Sequence, residues 1–373
     1  MNNEDSSTNG TGTVLDTLVI GGGQAGLAMG YFLKAQKRKF LILDASQRTG
    51  DAWRQRWDSL RVFTPAKYDG LPGAPFPADR LSFPTKDELA DYLEWYAEEF
   101  ELPVNHGVRV ERLWREADRY VATANGHRWE ARNVVVATGS TQTPEVPAFA
   151  AGLAPSVKQL HSSQYRNPQQ LQAGPVLVVG LGNSGAEIGL EVSRTRPSLV
   201  AGKPTGEMPV KHGKTAARYA FPIVRFLGLH VLTLGTPIGR KVAPALKAHA
   251  EPLIRTKTKD LVAAGVRVVP RVAGVVDGMP VLVDGTRLEV SNVIWCTGFR
   301  EDFSWIDPAL LDGGAMPRQW RGVALDSPGL FFLGQRFLYA EVSDTLPGLS
   351  RDARYLAAKI PAPAVLGSAV AAA

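Results

Sequence analysis

Apolar residues in the first fifty positions follow a strand spacing, then a helical spacing, then a strand spacing again. Residues 14–20, VLDTLVI, form a short β-rich run that ends at GGGQAG, residues 21–26. GLAMGYFLKAQ continues with apolar residues at helical spacing, and KFLILD is a second buried run. This order predicts strand, glycine loop, helix and strand, which make one βαβ unit.

The same order returns in the middle of the chain. Residues 175–195, PVLVVGLGNSGAEIGLEVSRT, predict a second strand, glycine loop and helix, and SLVAGK predicts the next strand. Between the two units, residues 45–84 are too rich in Pro and Gly for regular structure. A helix over about residues 86–100 is predicted, because Thr85 and Glu88 stand at the two positions of a capping box.

The remaining segments predict mainly strands. Those before the second unit are VRVERLW, RYVATA, HRWEA and NVVVATGS, and those after it are VRVV, PVLV and NVIWCTGF. NVIWCTG resembles NVVVATG, so each unit is expected to end on the same kind of strand and turn. Residues 205–259 are expected to be helical from their Ala, Leu and Lys content. The connection LHSSQYRNPQ, residues 160–169, has the pattern of neither a strand nor a good helix.

The predicted fold class is therefore α/β, with two Rossmann-like dinucleotide-binding domains and the second domain inserted in the first. The expected boundaries are a flexible N-terminus over 1–13, a discontinuous first domain over 14–150 and 291–360, a second domain over 151–290 with a basic helical excursion at about 205–259, and a flexible tail over 361–373.

The composition argues against several kinds of site. Cys296 is the single cysteine, so no disulfide or thiolate cluster is available and a cytoplasmic location is expected. The six histidines show no metal-binding spacing, so no metal site is predicted. Residues 1–13 lack the features of a secretory signal. The most apolar stretch, 220–235, contains Arg225 and His230 and is too short to span a bilayer.

The net charge of +6 is concentrated in one segment. Residues 194–271 contain 15 Lys or Arg and three acids, so the rest of the chain is net acidic. One interpretation is a solvated basic face, and the other is a region that holds a phosphorylated cofactor or an anionic partner. Nucleic acid is not predicted, because no basic motif with interleaved aromatic residues accompanies the charge.

The first glycine loop has the spacing of a dinucleotide site. Gly21 allows a tight turn, Gly23 allows close approach of a pyrophosphate, and Gly26 allows the helix to pack on the strand. Asp44 ends the next strand, where a carboxylate can bind an adenosine ribose. The alternative interpretation is that Asp44 is a surface turn residue that binds no ribose.

The second loop, GLGNSG, meets the same conditions but has no acid after its next strand. Lys203 stands there instead and can pair with a 2′-phosphate, which favours NADPH over NADH. Lys203 is otherwise explained as one solvated lysine in a basic segment. Two such units in one chain indicate two dinucleotides that react with each other, typically a nicotinamide reducing a flavin.

Taken in order, several motifs resemble the flavin-containing monooxygenases of flavoprotein class B, and most closely their short bacterial and plant indole-pyruvate-type branch. These motifs are GGGQAG with Asp44, GDAWRQRWDSLRVFTP, ATGS, LHSSQYRNP, GLGNSGAE, CTGF and GLFFLGQ. The resemblance covers about residues 15–358, and it implies that the discontinuous first domain is the FAD-binding domain and that the inserted second domain is the NADPH-binding domain. It implies that FAD-dependent, NADPH-consuming chemistry inserts one oxygen atom from O2 into a small organic substrate through a C4a-(hydro)peroxyflavin.

The candidate site residues follow from the motifs and from this resemblance. For FAD they are Gly21, Gly23, Gln24, Ala25, Gly26, Asp44, Trp53, Arg54, Thr64, Thr138, Gly139 and Gln335. For NADPH they are Gly180, Gly182, Asn183, Ser184, Gly185, Lys203 and Thr297. Core packing explains Trp53 equally well on composition.

The family fingerprint between the two loops reads FxGxxxHxxxY or F, and His161 and Tyr165 fit it. Pro155 and Val157 replace its phenylalanine and glycine. Tyr165-Arg166 replaces the Trp-Pro of Baeyer–Villiger enzymes, which argues against that branch. His161 and Tyr165 are expected to position the interdomain linker and NADP⁺, and His161 is otherwise explained as a hinge residue bonded to backbone.

Three functions remain open from the sequence. The first is the NADPH-dependent flavoprotein monooxygenase, acting on a small molecule and O2. The second is an NADPH-dependent flavin oxidase or reductase that passes electrons to O2 or to a partner, which the altered fingerprint favours. The third is a flavin-binding regulatory protein whose basic excursion contacts an anionic partner or a membrane surface.

Overall fold

The computed structural model describes residues 14–248, 251–311 and 318–361. In chain order its strands are β1 (Leu15–Ile20), β2 (Phe40–Leu43), β3 (Val104–Asn105), β4 (Arg112–Glu116), β5 (Arg119–Ala124), β6 (His127–Val136), β7 (Thr143–Pro144), β8 (Lys158–His161), β9 (Val176–Val179), β10 (Ser198–Ala201), β11 (Arg267–Val269), β12 (Val272–Val276), β13 (Met279–Leu282), β14 (Asn292–Trp295), β15 (Phe299–Arg300), β16 (Gln319–Trp320), β17 (Val323–Ala324) and β18 (Leu330–Phe332).

Its α-helices are α1 (Gln24–Ala35), α2 (Asp51–Arg54), α3 (Lys86–Glu99), α4 (Asn183–Val192), α5 (Lys214–Phe226), α6 (Pro237–Ala248), α7 (Thr258–Ala263) and α8 (Leu346–Ala357). A π-helical turn, Leu227–Val231, continues α5 directly. Short 3₁₀ turns occupy Ala66–Tyr68, Ala148–Gly152, Pro168–Gln170 and Pro308–Leu311.

The first sheet has the strand order β16-β17-β18-β6-β1-β2-β3, and the hairpin β4-β5 joins it through β6. The four pairings among β3, β2, β1, β6 and β18 are parallel. Helices α1, α3 and α8 pack on one face, while the β4-β5 hairpin and residues 303–311 cover the other. Strand β1 is therefore buried on both faces, as its nearly continuous apolar run predicts.

The second sheet has the order β11-β10-β9-β14-β8, and all of its pairings are parallel. Helices α4 and α7 pack on one face, and the antiparallel pair β12-β13 lies against the other. The predicted α/β fold class with two Rossmann-like units is confirmed. Because β18 pairs with β6 although the whole second sheet lies between them in the chain, the first sheet is built from two separate segments.

Several finer predictions differ from the structure. The boundary expected at residue 291 is wrong, because β14 pairs with β8 and β9 in the second sheet. The strands predicted separately from HRWEA and NVVVATGS are one strand, β6. Residues 160–161 end the strand β8, although the connection showed no strand pattern. The predicted helices of 205–259 are present over α5, α6 and part of α7, with irregular segments between them.

Two chain segments link the units, and they pair with each other. One follows β6 and contains β7, and the other follows β14 and contains β15. Phe299 lies opposite Pro144 and Arg300 opposite Thr143 in an antiparallel pair. These two linking segments, which we call the crossings, therefore form one small sheet of their own. The hydrogen bonds of this sheet connect the two units to each other.

Within the described ranges, no helix is long and apolar enough to cross a bilayer. The same ranges contain no group of three or more His, Cys, Asp or Glu placed to hold a metal ion. The segments 1–13 and 362–373, for which flexibility was expected, lie outside the described residues.

Candidate dinucleotide-binding sites

The first glycine loop is shaped by contacts that exclude a side chain at two of its three motif glycines. Gly21 has φ of 108°, and a Cβ there would lie 2.5 Å from the carbonyl oxygen of Ala137. A Cβ on Gly26 would overlap the carbonyl oxygen of Gly21. Gly23 differs, because a Cβ there would meet nothing within 4 Å. The fold therefore needs Gly21 and Gly26, whereas Gly23 leaves open space beside the loop.

The start of α1 is arranged to receive an anion. Its N-cap residue, Gly23, has no side chain to bond the free N–H groups of the helix, and the first turn contains no acid. The first N–H groups of a helix have no partner within the helix and carry a partial positive charge. Helix α3 shows the opposite arrangement, because Thr85 and Glu88 complete a capping box at its start. The open end of α1 fits a pyrophosphate, for which it supplies backbone donors.

The second loop repeats these features. Gly180 has φ of 108°, and a Cβ there would overlap the carbonyl oxygen of Cys296, just as Gly21 meets Ala137. A Cβ on Gly185 would overlap the carbonyl oxygen of Gly180. Helix α4 starts at Gly182 without a side-chain cap or an acid in its first turn. The expected likeness of the two strand-end turns is confirmed, since each turn packs against its own glycine loop.

The residues after the second strand of each unit differ in charge. Asp44 follows β2; its Oδ1 accepts a hydrogen bond from the Ser46 N–H at 2.8 Å, and its Oδ2 would lie 2.5 Å from a Cβ on Gly22. Asp44 thus lies against the first loop, and one of its oxygens also orders its own turn. Lys203 is exposed and follows β10 after Gly202, whose φ is 140°.

Asn183 and Ser184 begin α4 beside this loop. Asn183 is held by both ends of its amide: its Nδ2 donates to the Pro252 carbonyl at 3.1 Å, and its Oδ1 accepts from the Ile254 N–H at 2.8 Å. The segment after α6 therefore lies close to the start of α4.

Trp53 and Arg54 lie on α2, next to the first loop. The Trp53 Nε1 donates to Gln24 Oε1 at 3.2 Å, so Trp53 contacts the first turn of α1. The Arg54 guanidinium pairs with Asp91 and Glu94, each at 2.8 Å, and is therefore held by α3. Arg54 thus fixes α2 on α3 through its own ion pairs.

Thr64 is buried and donates its hydroxyl hydrogen bond to Asp69 Oδ1. Asp69 is fully buried, and its Oδ2 has no hydrogen-bond partner within the described chain. Burial raises the pKa of Asp69 to about 8, and the bond from Thr64 only partly opposes this shift. We therefore expect Asp69 to be mainly protonated at pH 7, where it accepts the hydrogen bond of Thr64.

Gln335 lies in the turn after β18. Its neighbour Gly334 packs closely against the start of α1, because a Cβ on Gly334 would lie 2.9 Å from the Ala25 Cβ. The Gln335 side chain is buried, and its Nε2 has no partner within the described chain. A buried amide without a partner is costly unless a ligand satisfies it. Gln335 therefore fits a polar group of a cofactor bound at this loop.

Thr138, Gly139 and Thr297 lie in the two crossing segments. Thr138 Oγ1 accepts a hydrogen bond from Gln142 Nε2 at 2.9 Å, and a Cβ on Gly139 would meet nothing within 4 Å. The Thr297 hydroxyl donates to the Glu145 carbonyl. Thr297 thus joins the two crossings, whereas Thr138 holds Gln142 within the first one.

His161 ends β8 and joins the connection to the second crossing. Its Nε2 donates to the Gly298 carbonyl at 3.1 Å, and its Nδ1 accepts from the Ser163 N–H at 3.2 Å. Burial lowers the pKa of His161 below its usual value, and the charge of Arg56 acts in the same direction. Both ring nitrogens of His161 are therefore bonded to backbone, and its positioning role stays a prediction.

Tyr165 is fully buried in the core of the second unit. Its hydroxyl donates to Glu191 Oε2 at 2.7 Å, which attaches the connection to α4. Burial and the neighbouring Glu191 raise its pKa well above the usual range. Tyr165 therefore anchors the connection on α4 through this hydrogen bond, and its predicted part in positioning NADP⁺ stays a prediction.

Three residues that the sequence did not single out connect the units. Arg56 donates to Thr141 Oγ1 at 3.0 Å and lies over the Phe299 ring. Arg255 donates to the carbonyl of Val62 at 3.0 Å and pairs with Glu187 at 3.4 Å, and His212 Nε2 donates to the Phe63 carbonyl at 3.0 Å. Arg255 and His212 thus hold the chain just before Thr64. Their only sequence signal was membership of the basic segment.

Comparisons with known proteins agree with this arrangement. The family model described as pyridine nucleotide-disulphide oxidoreductase matches residues 18–202, which contain both glycine loops. The CzcO-like oxidoreductase of Geobacillus kaustophilus (strain HTA426) is 40% identical, over 92% of this chain and 97% of that protein. The probable indole-3-pyruvate monooxygenase YUCCA7 of Arabidopsis thaliana is 29% identical, over 85% of this chain and 82% of that protein.

A solved structure matches over nearly the same length. The flavin-containing monooxygenase from Stenotrophomonas maltophilia superposes with a TM-score of 0.74 at 30% identity, covering 94% of this chain and 98% of that one. Both sheets and the crossings between them therefore fall within the region of similarity.

Proposed function

This chain belongs to the flavin-containing monooxygenase-like group of class B flavoprotein monooxygenases, and on that basis we propose that it uses NADPH and O2 to insert one oxygen atom into a small organic substrate. The observation that carries the proposal is the pair of matching loops, each with an open helix start and a glycine turn packed against the strand-end turn of its own unit. The predicted cytoplasmic location stays a prediction from the sequence.

FAD fits the first unit. The loop from Gly21 to Gly26 would receive the pyrophosphate, Asp44 the adenosine ribose, and Gln335 a polar group through its free amide N–H. Bound FAD would supply the two-electron acceptor for NADPH and the centre at which O2 is activated. The remaining proposed contacts are Gln24, Ala25, Trp53, Thr64, Thr138 and Gly139. Arg54 acts through α3, given its ion pairs.

NADPH fits the second unit. The loop Gly180, Gly182 and Gly185 would receive its pyrophosphate at the start of α4, with Asn183 and Ser184 in the first turn. Lys203 would pair with the 2′-phosphate. Thr297 and His161 would hold the crossing segments, so that the nicotinamide approaches the flavin in one orientation.

The altered fingerprint has a packing explanation. Val157 is buried in the core beneath the second sheet, against Ala150 and Leu153, and Pro155 is exposed. A valine at this position therefore fills the core, and its presence alone does not favour oxidase chemistry over oxygenation.

The decisive experiment follows the fate of oxygen. Purified protein is reduced anaerobically with one equivalent of NADPH, mixed with ¹⁸O2, and offered amine, sulfide, ketone and indole-acid substrates separately. Oxygenation predicts bleaching of the flavin absorbance, one ¹⁸O in a product and less than stoichiometric H2O2. Flavin that bleaches but gives stoichiometric H2O2 with every substrate would establish the oxidase alternative. A colourless protein that takes up no FAD would refute both.

A further inference from the structure

Exposed apolar side chains are concentrated on the basic excursion. Of the thirteen large hydrophobic side chains that are exposed in the described chain, six lie between residues 219 and 238: Tyr219, Ile223, Val224, Phe226, Leu227 and Ile238. Contiguous exposed apolar surface of this kind usually marks an interaction site. We call the surface formed by these six residues the apolar face.

The apolar face has helical order. Tyr219, Ile223 and Phe226 are spaced i, i+4 and i+7 and are 64%, 62% and 57% exposed, so they form one stripe along α5. His230, in the π-helical turn, continues the stripe with its ring 4.9 Å from that of Phe226. Ile238 is 57% exposed and lies at the start of α6, the next helix in the chain after the π-helical turn.

The opposite side of α5 already has its packing partners. Ala216, Ala217 and Phe221 are buried, and the Phe221 ring lies 5.9 Å from that of Phe83. Gly228, in the π-helical turn, packs so closely on Val342 that a Cβ there would lie 2.7 Å from its Cγ1. The helix is thus anchored on the protein by one side, and the apolar face points away from the core.

The segment that forms the apolar face carries basic residues and no acid of its own, although Asp79 from the chain before α3 pairs with Lys214 at 3.3 Å. Residues 208–248 contain seven Lys or Arg and no Asp or Glu. Lys211, Arg218, Arg240, Lys241 and Lys247 are exposed in this segment. Arg218 and Lys214 are spaced i and i−4, so they follow the stripe along one flank of α5. A helix with an apolar stripe and a basic flank binds at the interface of an anionic bilayer.

We propose that the apolar face docks the protein on the surface of an anionic lipid bilayer, with Tyr219, Ile223, Phe226 and Ile238 entering the interface and the surrounding Lys and Arg contacting lipid headgroups. A second copy of the chain fits less well, because a two-fold interface would bring the exposed basic residues of the two copies, such as Arg218, Arg240 and Lys241, close to one another. Nucleic acid fits less well because it offers no apolar phase for the aliphatic side chains. The inference is independent of the proposed function.

The test is co-sedimentation of the FAD-loaded full chain with vesicles of phosphatidylcholine alone and of phosphatidylcholine with 40% phosphatidylglycerol. We expect binding to the anionic vesicles only. The double variant Ile223→Ser/Phe226→Ser should weaken it at least tenfold, and Arg218→Gln/Lys241→Gln should weaken it several-fold and reduce its dependence on salt. Two control variants should bind like the parent protein. Val276→Ser/Val283→Ser alters two similarly exposed apolar residues, one at the end of β12 and one just after β13. Arg109→Gln/Arg132→Gln removes two exposed charges outside the basic segment.

Each other result overturns the proposal. Absence of binding to anionic vesicles would do so directly. Binding that Ile223→Ser/Phe226→Ser leaves unchanged would show adsorption by charge alone, at another place. A stable dimer in sedimentation velocity that dissociates in Ile223→Ser/Phe226→Ser, together with no vesicle binding, would identify the face as a contact between copies. Thermal melting and flavin content of every variant establish that each one is folded.

Discussion

Gly23 and Gly26, two of the three motif glycines of the first loop, are expected to differ in role: Gly23 in ligand binding and Gly26 in packing. A Cβ on Gly23 meets nothing within 4 Å, and its φ of −76° suits alanine, whereas a Cβ on Gly26 overlaps the Gly21 carbonyl. Gly23→Ala should therefore keep the unfolding midpoint of the apoprotein but lower FAD affinity at least tenfold. Gly26→Ala should cost about 1–3 kcal/mol of stability through overpacking.

The unfolding midpoints of the Gly23→Ala and Gly26→Ala apoproteins are measured by chemical denaturation, and their FAD affinities are measured by titration. Equal FAD affinity of Gly23→Ala and the parent protein would show that no pyrophosphate approaches this residue. The contrast requires that both variants be compared without flavin, because bound FAD itself stabilises the native state.

The side chain of Lys203 is expected to set the preference between the two nicotinamide cofactors. A charge-assisted bond to a 2′-phosphate is worth enough that its loss weakens binding about tenfold or more. Lys203→Gln should raise the KM for NADPH by about tenfold and leave the KM for NADH unchanged. Lys211→Gln, an exposed lysine in the same segment, should change neither value. If the KM for NADPH and the KM for NADH rise by the same factor, Lys203 contributes only to the general positive potential of the basic segment.

Asp69 gives the protein a pH dependence that can be traced to one group. Its pKa is about 8 in the folded state and near 4 in the unfolded chain, so the folded state binds the proton more strongly between these values. Its contribution to stability is complete below pH 4 and is lost as pH rises through 8, at a rate of at most about 1.4 kcal/mol per pH unit. Asp69→Asn should flatten this decline between pH 5 and pH 8.

Urea midpoints of the parent and of Asp69→Asn at several pH values measure the effect. Asn keeps an oxygen acceptor for the Thr64 hydroxyl, so Thr64 stays in place at pH 5. Parallel pH profiles for the two proteins would mean that Asp69 ionises normally in the folded state.

At the scale of elements, the capping box of α3 is a local device with a measurable value. The Thr85 side chain accepts from the Glu88 N–H at 3.1 Å, and Glu88 Oε2 accepts from the Thr85 N–H at 2.7 Å. Thr85→Ala should lower the free energy of unfolding by about 1 kcal/mol. Thr85→Ser keeps the hydroxyl acceptor and should stay within about 0.5 kcal/mol of the parent, so an equal loss in both variants would assign the effect to the threonine methyl group.

Elements with strong local signals were predictable from the sequence. Both βαβ units have continuous apolar strands, glycine turns and helical spacing, and the capping box marked the start of α3. Elements that depend on distant pairing were not. Residues 160–161 become strand because β8 pairs with β14, more than 130 positions away, and the same pairing moved the expected boundary at 291. A local pattern contains no information on such partners.

The candidate site was predictable to the same degree. The glycines, Asp44 and Lys203 have fixed spacing from their strands, so the sequence alone predicted their places in the fold, while their contacts with the cofactors stay predictions. Arg56, Arg255 and His212 were missed because each contacts a segment far away in the chain, such as the carbonyls just before Thr64. Their roles follow from tertiary packing, for which an isolated basic side chain gives no signal.

At the scale of the whole molecule, removal of FAD should destabilise the entire first unit. The proposed site joins residues from both segments of the first sheet, since Gly21 follows β1 and Gln335 follows β18. A ligand that binds only the native state at 100 times its Kd adds about 2.7 kcal/mol. The deflavinated protein should therefore melt several degrees lower than the FAD-loaded protein, and added FAD should restore the difference.

Gly23→Ala supplies the matched control for this ligand-removal experiment, because its apoprotein should melt like the parent apoprotein and gain little from the same FAD concentration. NADPH adds a separate increment through the second unit, and Gly23→Ala should retain that increment because the second loop is unchanged. If the parent protein melts at the same temperature with and without FAD, the two segments of the first sheet are not joined by a shared ligand, and the proposed location of the flavin is wrong.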